Sequence, residues 1–224
     1  MFLEPAEVRA LAETIDPHWR VAVYVAAYCG VRAGKLWALR RQDVDVMRGD
    51  LSVRQALKEI NGAEHLPPEE RGLIIGEPKS QASKRKLTLP APIKALLAEH
   101  LLRPLGGGEP GSLIFTTPSG LPVRHGLFYS RVFRPAVAQA LPHKANLRFH
   151  DLRHTCASLS LAVPGAGLHI VKERLGHEDI RTTINTYGHL LPSVEAALAD
   201  GLAEMFAAAA PDNTAPDNVV ELHG

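Results

Sequence analysis

The chain has 224 residues, of which 46% are apolar, and its 25 Lys and Arg nearly balance its 24 Asp and Glu. This length supports one large domain or two small ones. No apolar run approaches the ~20 residues of a membrane-spanning helix, and the N-terminus lacks the basic-then-apolar pattern of a signal peptide. Two cysteines, Cys29 and Cys156, are too few for a disulfide framework or a cysteine-based metal site. We therefore expect a soluble intracellular protein without a membrane partner.

The charge is unevenly distributed along the chain. The overall net charge of +1 argues against nucleic-acid binding, because nucleic-acid-binding domains usually carry a basic excess. However, residues 191–224 contain six acidic side chains and no Lys or Arg, which leaves 25 basic and 18 acidic side chains in residues 1–190, a net charge of +7. A basic body with an acidic tail remains compatible with a polyanionic partner.

Apolar periodicity predicts a mostly helical chain with a few strands. Helices are predicted over 4–15, 19–29, 33–40 and 93–102, and almost throughout from Gly126 to the tail. Strands are predicted within 44–54, over 73–76 and over 86–89, with the Pro78 to Ser83 segment as the turn between the last two and a polar surface loop over 59–71. The expected fold class is α+β, mostly α-helical with a small three-stranded antiparallel sheet.

The C-terminal region is predicted to form one more helix and a tail. The helix, within 191–210, has an apolar stripe made of Val194, Leu198, Leu202 and Met205. After Ala210 the sequence is turn-forming and weakly apolar, so residues 211–224 are expected to be disordered.

Three basic side chains, His150, Arg153 and His154, share one face of a predicted helix because they are spaced i, i+3 and i+4. A solvated polar stripe is the simplest interpretation. A zinc-protease helix is an alternative, since the segment resembles H-E-x-x-H. Asp151 is a shorter carboxylate than the required Glu, and Arg153 would place a cation beside the metal. The zinc interpretation is therefore disfavoured.

Tyr187 lies ten residues after His177. Taken alone it fits a half-buried core tyrosine, because a phenol with a pKa near 10 is a weak nucleophile unless cations favour the phenolate. The chain supplies candidate cations in Arg32, Lys79 and Arg153. Two arginines can stabilise the charge on a phosphodiester in a pentacovalent transition state. This set suits phosphoryl transfer to tyrosine without a metal.

The order of these motifs resembles the tyrosine recombinases, in particular the catalytic domain of phage integrases. The matching segments span about residues 3 to 200 and occur in the family's order: Tyr28-Cys29-Gly30-Val31-Arg32 with Leu36-x-x-Leu39, Pro78-Lys79 followed by Lys84 to Pro90, His150-x-x-Arg153-His154-Thr155, Leu175-Gly176-His177, and Thr186-Tyr187-x-His189-Leu190. Each segment alone is a weak signal, whereas five in order are a strong one. The resemblance implies an integrase-like catalytic fold and a site-specific recombinase.

The resemblance also implies the reacting residues. Arg32 and Arg153 would hold the scissile phosphate, and Tyr187 would attack it to give a 3′-phosphotyrosine and a free 5′-hydroxyl. Lys79 would be the general acid for the 5′-oxygen. The phosphotyrosine bond conserves the energy of the cleaved bond, so neither ATP nor a divalent metal is implied as a cofactor.

Other basic residues take supporting roles in the same resemblance. His150 would assist proton transfer near the nucleophile, and His177 would hydrogen-bond a phosphate oxygen. Lys84, Arg85 and Lys86 are expected to contact the DNA backbone, which positions DNA without reading its sequence. The second histidine of the motif, His154, and His189 are expected either to be structural or to contact the reacting residues without touching the DNA.

The resemblance further implies a domain organisation and partners. Residues 1–190 would be the catalytic domain, and the helix within 191–210 would dock on a neighbouring protomer. Arg32 follows only 31 residues, so the usual N-terminal DNA-binding domain is expected to be absent. The expected partners are double-stranded DNA at an attachment site, further copies in a tetramer on DNA, and accessory DNA-bending proteins, all in the cytoplasm.

One position departs from the family pattern. The family usually has Glu three residues after the first arginine, where this chain has Lys35, so a repulsive pair with Arg32 replaces an attractive one. A catalytically impaired DNA-binding or assembly module is therefore the alternative function. A topoisomerase or a telomere resolvase would use the same chemistry, but the short strand-turn region around Lys79 favours an integrase.

Overall fold

The computed structural model describes residues 1–59, 72–77, 84–103, 107–190 and 195–208. The chain divides into two compact units, residues 1–190 and residues 191–224. The helices of the first unit are α1 (Pro5–Thr14), α2 (Arg20–Cys29), α3 (Ala33–Leu36), α4 (Ala91–Leu102), α5 (His125–Phe128), α6 (Arg134–Ala140), α7 (Asp151–Leu161), α8 (Leu168–Leu175) and α9 (Ile180–Tyr187). The described part of the second unit is α10 (Glu195–Ala208).

The N-terminal segment is fastened to the rest of the first unit by polar contacts. At the start of α1, the Glu4 backbone N–H donates to the Glu7 carboxylate over 2.8 Å, completing a capping box. The same carboxylate accepts from Lys144 at 2.6 Å, and these bonds help to hold the Glu7 pKa at about 2 against the opposing effect of burial. Further on, the Leu3 N–H donates to the Thr155 hydroxyl oxygen in α7.

Helix α2 is buried on nearly all sides and ends at a glycine that no other residue replaces easily. Gly30 adopts a left-handed conformation with φ of 62°, which ends the helix. A Cβ atom on Gly30 would lie 2.5 Å from Leu175 Cδ2 in α8 and 3.1 Å from Cys156 Sγ in α7. Gly30 thus allows α7 and α8 to approach the end of α2, immediately before Arg32.

The strands form two small antiparallel sheets. The first has the order β1-β2-β5, with strands Val44–Asp45, Asp50–Val53 and Arg85–Thr88. The second pairs β3 (Ala56–Glu59) with β4 (Leu73–Gly76). The predicted three-stranded sheet is present, but the prediction that 73–76 and 86–89 flank one turn as neighbours is wrong. These two strands belong to different sheets because Arg85–Thr88 pairs with Asp50–Val53 instead.

The first unit contains a large apolar core and a smaller one. The large core has an aromatic centre in which Trp37 stacks on Phe149 at 5.5 Å and meets Phe128 at 4.9 Å. The smaller cluster contains Tyr187 together with Cys156, Ala157, Val171 and Leu175 from α7 and α8. Tyr187 is therefore held by the elements that also surround the end of α2.

Most predicted elements agree with the structure. Helix α3 ends at Leu36, earlier than expected, because the chain turns at Trp37 to bury that ring in the aromatic core. In α10 the stripe members Leu202 and Met205 are exposed. Several predictions concern residues that the structure does not describe: Val194 of the apolar stripe, the loop over 60–71, the turn over 78–83 and the tail after Ala208. None of the described helices is long and apolar enough to cross a membrane.

Candidate active site

Four elements bring together the tyrosine and three of the basic residues that the sequence predicts for the site. Arg32 is the N-cap residue of α3, directly after the turn at Gly30. Arg153 lies in the first turn of α7, His177 follows α8, and Tyr187 is the last residue of α9. We call the side chains of Arg32, Arg85, Arg153 and His177 the cationic pocket, since each one interacts electrostatically with others of the set.

Arg153 is the most deeply buried arginine of the cationic pocket. It is only 2% exposed, and its Nη1 donates a hydrogen bond to the carbonyl oxygen of Gly30. Its Nη2 is also buried and has no hydrogen-bond partner among the residues that the structure describes. Burial and repulsion from Arg32 and Arg85 lower the pKa of Arg153 to about 9. The side chain remains charged at neutral pH, so this buried cation lacks part of its hydrogen bonding among the described residues.

The tyrosine hydroxyl lies beside this pocket and is hydrogen-bonded to a histidine. Tyr187 is 1% exposed, and its hydroxyl oxygen is 2.8 Å from Nδ1 of His154. Burial lowers the pKa of His154, so its imidazole is neutral at pH 7 and Nδ1 can accept the tyrosine proton. Burial raises the pKa of Tyr187, whereas the positive charges of Arg153 and Arg32 lower it. The two arginines thus favour the phenolate that burial disfavours.

His177 lies against the same tyrosine. The two rings are nearly parallel, with centroids 6.5 Å apart, and His177 Nδ1 is 2.9 Å from the Thr183 hydroxyl. Burial, together with repulsion from Arg153 and Arg32, lowers the pKa of His177 to about 4. At neutral pH the ring is therefore uncharged and oriented by Thr183.

His150 reaches the tyrosine only through another histidine. Its ring meets the His154 ring edge-on at 5.1 Å. Partial burial and repulsion from His154 and Arg153 lower the pKa of His150 to about 4, although part of the side chain is exposed. The contacts thus run in the order His150, His154 and Tyr187.

Lys35, the departure from the family pattern, is buried near the arginines. It is 6% exposed, and burial with repulsion from Arg85, Arg32 and Arg153 lowers its pKa to about 7. The expected repulsion between Lys35 and Arg32 is present, and Arg85 repels Lys35 more strongly than Arg32 does.

The three basic residues predicted to contact the DNA backbone divide between two faces of strand β5. Lys84, just before the strand, pairs with Glu77 at 2.7 Å, and Lys86 pairs with Asp50 at 2.6 Å. Arg85 instead belongs to the cationic pocket. Lys79, the predicted general acid, lies outside the described residues.

No group of His, Cys, Asp and Glu suited to a metal ion occurs in the part of the chain that the structure describes.

Comparison with known proteins identifies the family. The sequence model of the phage integrase family matches residues 1–193. The chain belongs to this family. An integrase of Mycobacterium phage D29 is 31% identical over 185 residues, covering 78% of this chain and 44% of the relative. A XerC-like tyrosine recombinase of Caldanaerobacter subterraneus is 26% identical, covering 89% of this chain and 53% of the relative. The chain thus spans about half the length of the curated relatives it matches.

Solved integrase structures share the fold. The Tn1549 transposon integrase, in complex with circular intermediate DNA, matches with a TM-score of 0.72 and 21% identity over 92% of this chain and 67% of that one. The catalytic domain of bacteriophage HP1 integrase matches with a TM-score of 0.53 and 20% identity over 88% of this chain and 93% of that one. These matches confirm the predicted integrase catalytic fold, and the chain is homologous to integrases and to a XerC-like tyrosine recombinase.

The sequence of this integrase domain does not show how two residues enter the candidate site. His154 is expected to be structural or to contact the reacting residues, and in the structure it contacts the hydroxyl of Tyr187. Its i+4 spacing from His150 was visible, but nothing local shows that α9 brings Tyr187 beside it. Arg85 was grouped with Lys84 and Lys86, although alternation along a strand already directs its side chain to the opposite face.

Proposed function

We propose that this chain cleaves and rejoins double-stranded DNA at an attachment site through a 3′-phosphotyrosine intermediate. The observation that carries the proposal is the Tyr187 hydroxyl beside a buried cationic pocket with unpartnered N–H groups. A phosphodiester is the anion that matches both features, because it supplies the acceptor oxygens and the electrophilic phosphorus.

The arginines act on the phosphate. Arg32 and Arg153 bind its non-bridging oxygens, and their charge stabilises the additional negative charge of the pentacovalent transition state. Filling the pocket also satisfies Nη2 of Arg153, which is buried and without a partner among the described residues. His177, neutral and oriented by Thr183, supplies a further hydrogen bond to a phosphate oxygen.

The nucleophile loses its proton to a neighbouring histidine. As the Tyr187 oxygen attacks phosphorus, its proton passes to Nδ1 of His154, 2.8 Å away. His150, in ring contact with His154, stabilises the resulting imidazolium or relays the proton to solvent. Two histidines with lowered pKa values suit this role because both are neutral before the reaction.

The bonds balance without an external energy source. One P–O bond forms to Tyr187 and one breaks to the 5′-oxygen, which takes a proton from Lys79 and leaves as a hydroxyl. In the reverse step a 5′-hydroxyl of a partner strand attacks the phosphotyrosine and gives its proton to Lys79. The bond from phosphorus to Tyr187 breaks, the tyrosine oxygen takes back a proton from His154, and a phosphodiester is restored. Because the number of phosphoester bonds is unchanged, ATP is not required.

DNA and protein partners complete the proposal. Lys84 and Lys86 contact flanking phosphates, exchanging their ion pairs with Glu77 and Asp50 for the DNA backbone. Helix α10 docks on a second copy in a tetramer on DNA, and this is supported by three exposed apolar side chains, Leu202, Met205 and Phe206. Accessory DNA-bending proteins and a cytoplasmic location belong to the same proposal.

A second candidate function is a catalytically impaired assembly module. The observation in its favour is Lys35, a buried amine where the family usually has a carboxylate. Such a module would bind DNA and further copies without forming a covalent adduct.

Covalent trapping tests the proposal. Nicked suicide duplexes with randomised sequence around the nick are incubated with the chain in EDTA, and covalent adducts are isolated on a denaturing gel and sequenced to define the attachment site. We expect an adduct with the wild type and none with Tyr187→Phe. DNA binding without any adduct would support the impaired module, and an adduct that needs a metal or persists in Tyr187→Phe would refute the tyrosine mechanism.

A further inference from the structure

Arg85 differs from its two basic neighbours because no carboxylate among the described residues neutralises its charge. Lys84 and Lys86 each form an ion pair with a carboxylate. Arg85, between them, forms none among the described residues, and its strongest charge interaction is repulsion from Arg32. A buried cation that is repelled by its neighbours is costly unless an anion or hydrogen-bond acceptors compensate for the lost hydration.

One nitrogen of Arg85 has a clear structural partner. Its Nε donates to the carbonyl oxygen of Arg174, at the end of α8, over 2.8 Å. Arg174 in turn donates from Nη2 to the carbonyl oxygen of Tyr28, at the end of α2, over 2.6 Å. Strand β5 is thereby connected to the helix ends that flank Arg32 and His177. This bond accounts for the position of Arg85 but uses only one of its nitrogens.

The two terminal nitrogens of Arg85 have no such partner. Nη1 and Nη2 are both buried, and neither forms a hydrogen bond with any residue that the structure describes. Among the buried side-chain nitrogens of arginine, only Arg153 Nη2 shares this condition in the described chain. Burial and repulsion from Arg32 lower the pKa of Arg85 to about 10, so the guanidinium stays charged at neutral pH.

We infer that Arg85 is a third phosphate-binding guanidinium, whose Nη1 and Nη2 donate to a non-bridging oxygen of the scissile phosphate beside Arg32 and Arg153. The inference rests on the proposed function and assigns Arg85 to the reacting phosphate instead of the flanking backbone. An oxyanion satisfies the unpartnered N–H groups of Arg85 and Arg153 together and reverses the mutual repulsion of three cations. In the DNA-free conformation these nitrogens are shielded, so the side chains that cover them move when the phosphate enters.

A matched pair of variants separates anion binding from support of the fold. In Arg85→Gln the amide nitrogen occupies the place of Nε, so the hydrogen bond to Arg174 can be retained while both terminal nitrogens are removed. Arg48→Gln makes the same change of charge at an exposed arginine between β1 and β2, where Arg48 pairs with Asp45. Thermal unfolding verifies that both variants fold, and Arg85→Lys is a second variant that keeps the charge with one nitrogen.

Calorimetric titration with inorganic phosphate measures the anion site directly. We expect the wild type and Arg48→Gln to bind with affinities within about twofold of each other, and Arg85→Gln to bind at least about tenfold more weakly, because charge-assisted hydrogen bonds are lost. Arg85→Lys is expected to lie between them. Equal affinities of Arg85→Gln and the wild type, or no phosphate binding by the wild type, would overturn the inference.

Single-turnover cleavage tests contact with the reacting phosphate. The duplex selected by covalent trapping is prepared with either a phosphate or a neutral methylphosphonate at the scissile position. We expect Arg85→Gln to reduce the rate about 30-fold on phosphate and at most about threefold on methylphosphonate, relative to the wild type on each substrate. An equal loss on both substrates would indicate a purely structural role and refute the inference.

The two experiments distinguish failure of the inference from failure of the proposed function. A wild type that forms the adduct while Arg85→Gln cleaves phosphate at the wild-type rate contradicts only the inference. A wild type that binds phosphate through Arg85 but forms no adduct retains the anion site and contradicts the recombinase proposal.

Discussion

The aromatic core and the cationic pocket lie in the same unit and contrast in how their contents are stabilised. Around Trp37 the buried groups are aromatic rings in edge-on and stacked contact, and burial itself is favourable. In the cationic pocket the buried groups include Arg85 and Arg153, which repel one another and retain unpartnered N–H groups. The core stabilises the fold, whereas the mutual repulsion of the buried cations reduces the stability of the fold.

Two adjacent residues of α7 provide the sharpest test of this contrast. Leu152 is fully buried in the large core, and Arg153 is buried in the pocket. We expect Leu152→Ala to reduce the free energy of unfolding by about 3 kcal/mol, because a buried methine and two buried methyl groups are lost and a cavity remains. Arg153→Met is expected to change it by less than about 1 kcal/mol, since relief of repulsion offsets the lost bond to Gly30.

Urea denaturation with and without inorganic phosphate measures both effects. Phosphate should stabilise the wild type and Leu152→Ala but not Arg153→Met. A loss above about 2 kcal/mol in phosphate-free Arg153→Met would show that the buried arginine supports the fold as a core residue does.

The pocket should also make stability depend on pH through His177. Its pKa is about 4 in the folded protein against an ordinary value of 6.5, because burial and the charges of Arg153, Arg32, Arg85 and His154 oppose protonation. Between these two values the unfolded chain binds a proton that the folded chain excludes. This contribution to stability is therefore complete above pH 6.5 and is lost as the pH falls towards 4, by about 3 kcal/mol.

Urea denaturation between pH 4 and pH 7 measures this slope, and His177→Gln is the control. The variant should show a shallower fall over the window, while the titration of Glu7, which begins below pH 4.5, contributes equally to both proteins. Parallel slopes for the wild type and His177→Gln would mean that His177 titrates normally.

The turn at Gly30, between core and pocket, is expected to give the smallest of the three effects. Gly30→Ala should reduce the free energy of unfolding by about 2 kcal/mol, from left-handed strain together with overlap with Leu175. Gly120 has a comparable φ of 82° with no atom near the added Cβ, so Gly120→Ala reports the strain alone, about 1 kcal/mol. Chemical denaturation measures the free energy of unfolding of both variants, and the difference between their losses is the cost of the overlap with Leu175. Equal losses would show that the Leu175 side chain moves aside without a measurable cost.

The sequence predicted the positions of helices and strands better than it predicted which strands pair with each other. Helical periodicity located α1, α2 and α4 to within about two residues. It could not pair the strands, because the 73–76 segment reads the same whether its neighbour is Arg85–Thr88 or Ala56–Glu59. Strand pairing depends on which backbones meet in space, and this is decided by the packing of the whole unit.

In the candidate site, too, the residue types follow from the local sequence, whereas their contacts depend on packing. The identities of Arg32, Arg153, His177 and Tyr187 followed from motif order, because each motif keeps its residue types in one local frame. The charge of the tail and the basic character of residues 1–190 also follow from the sequence alone.

Only the tertiary structure decided how these residues are used. The hydrogen bond from Arg153 to Gly30 joins residues 123 positions apart, and the contact between His154 and Tyr187 joins residues 33 apart. Such contacts require α2, α7 and α9 to pack at one place, which no local pattern encodes. The same packing buries the terminal nitrogens of Arg85 on the inner face of its strand, because burial is a property of the assembled unit and not of a residue's neighbours in the sequence.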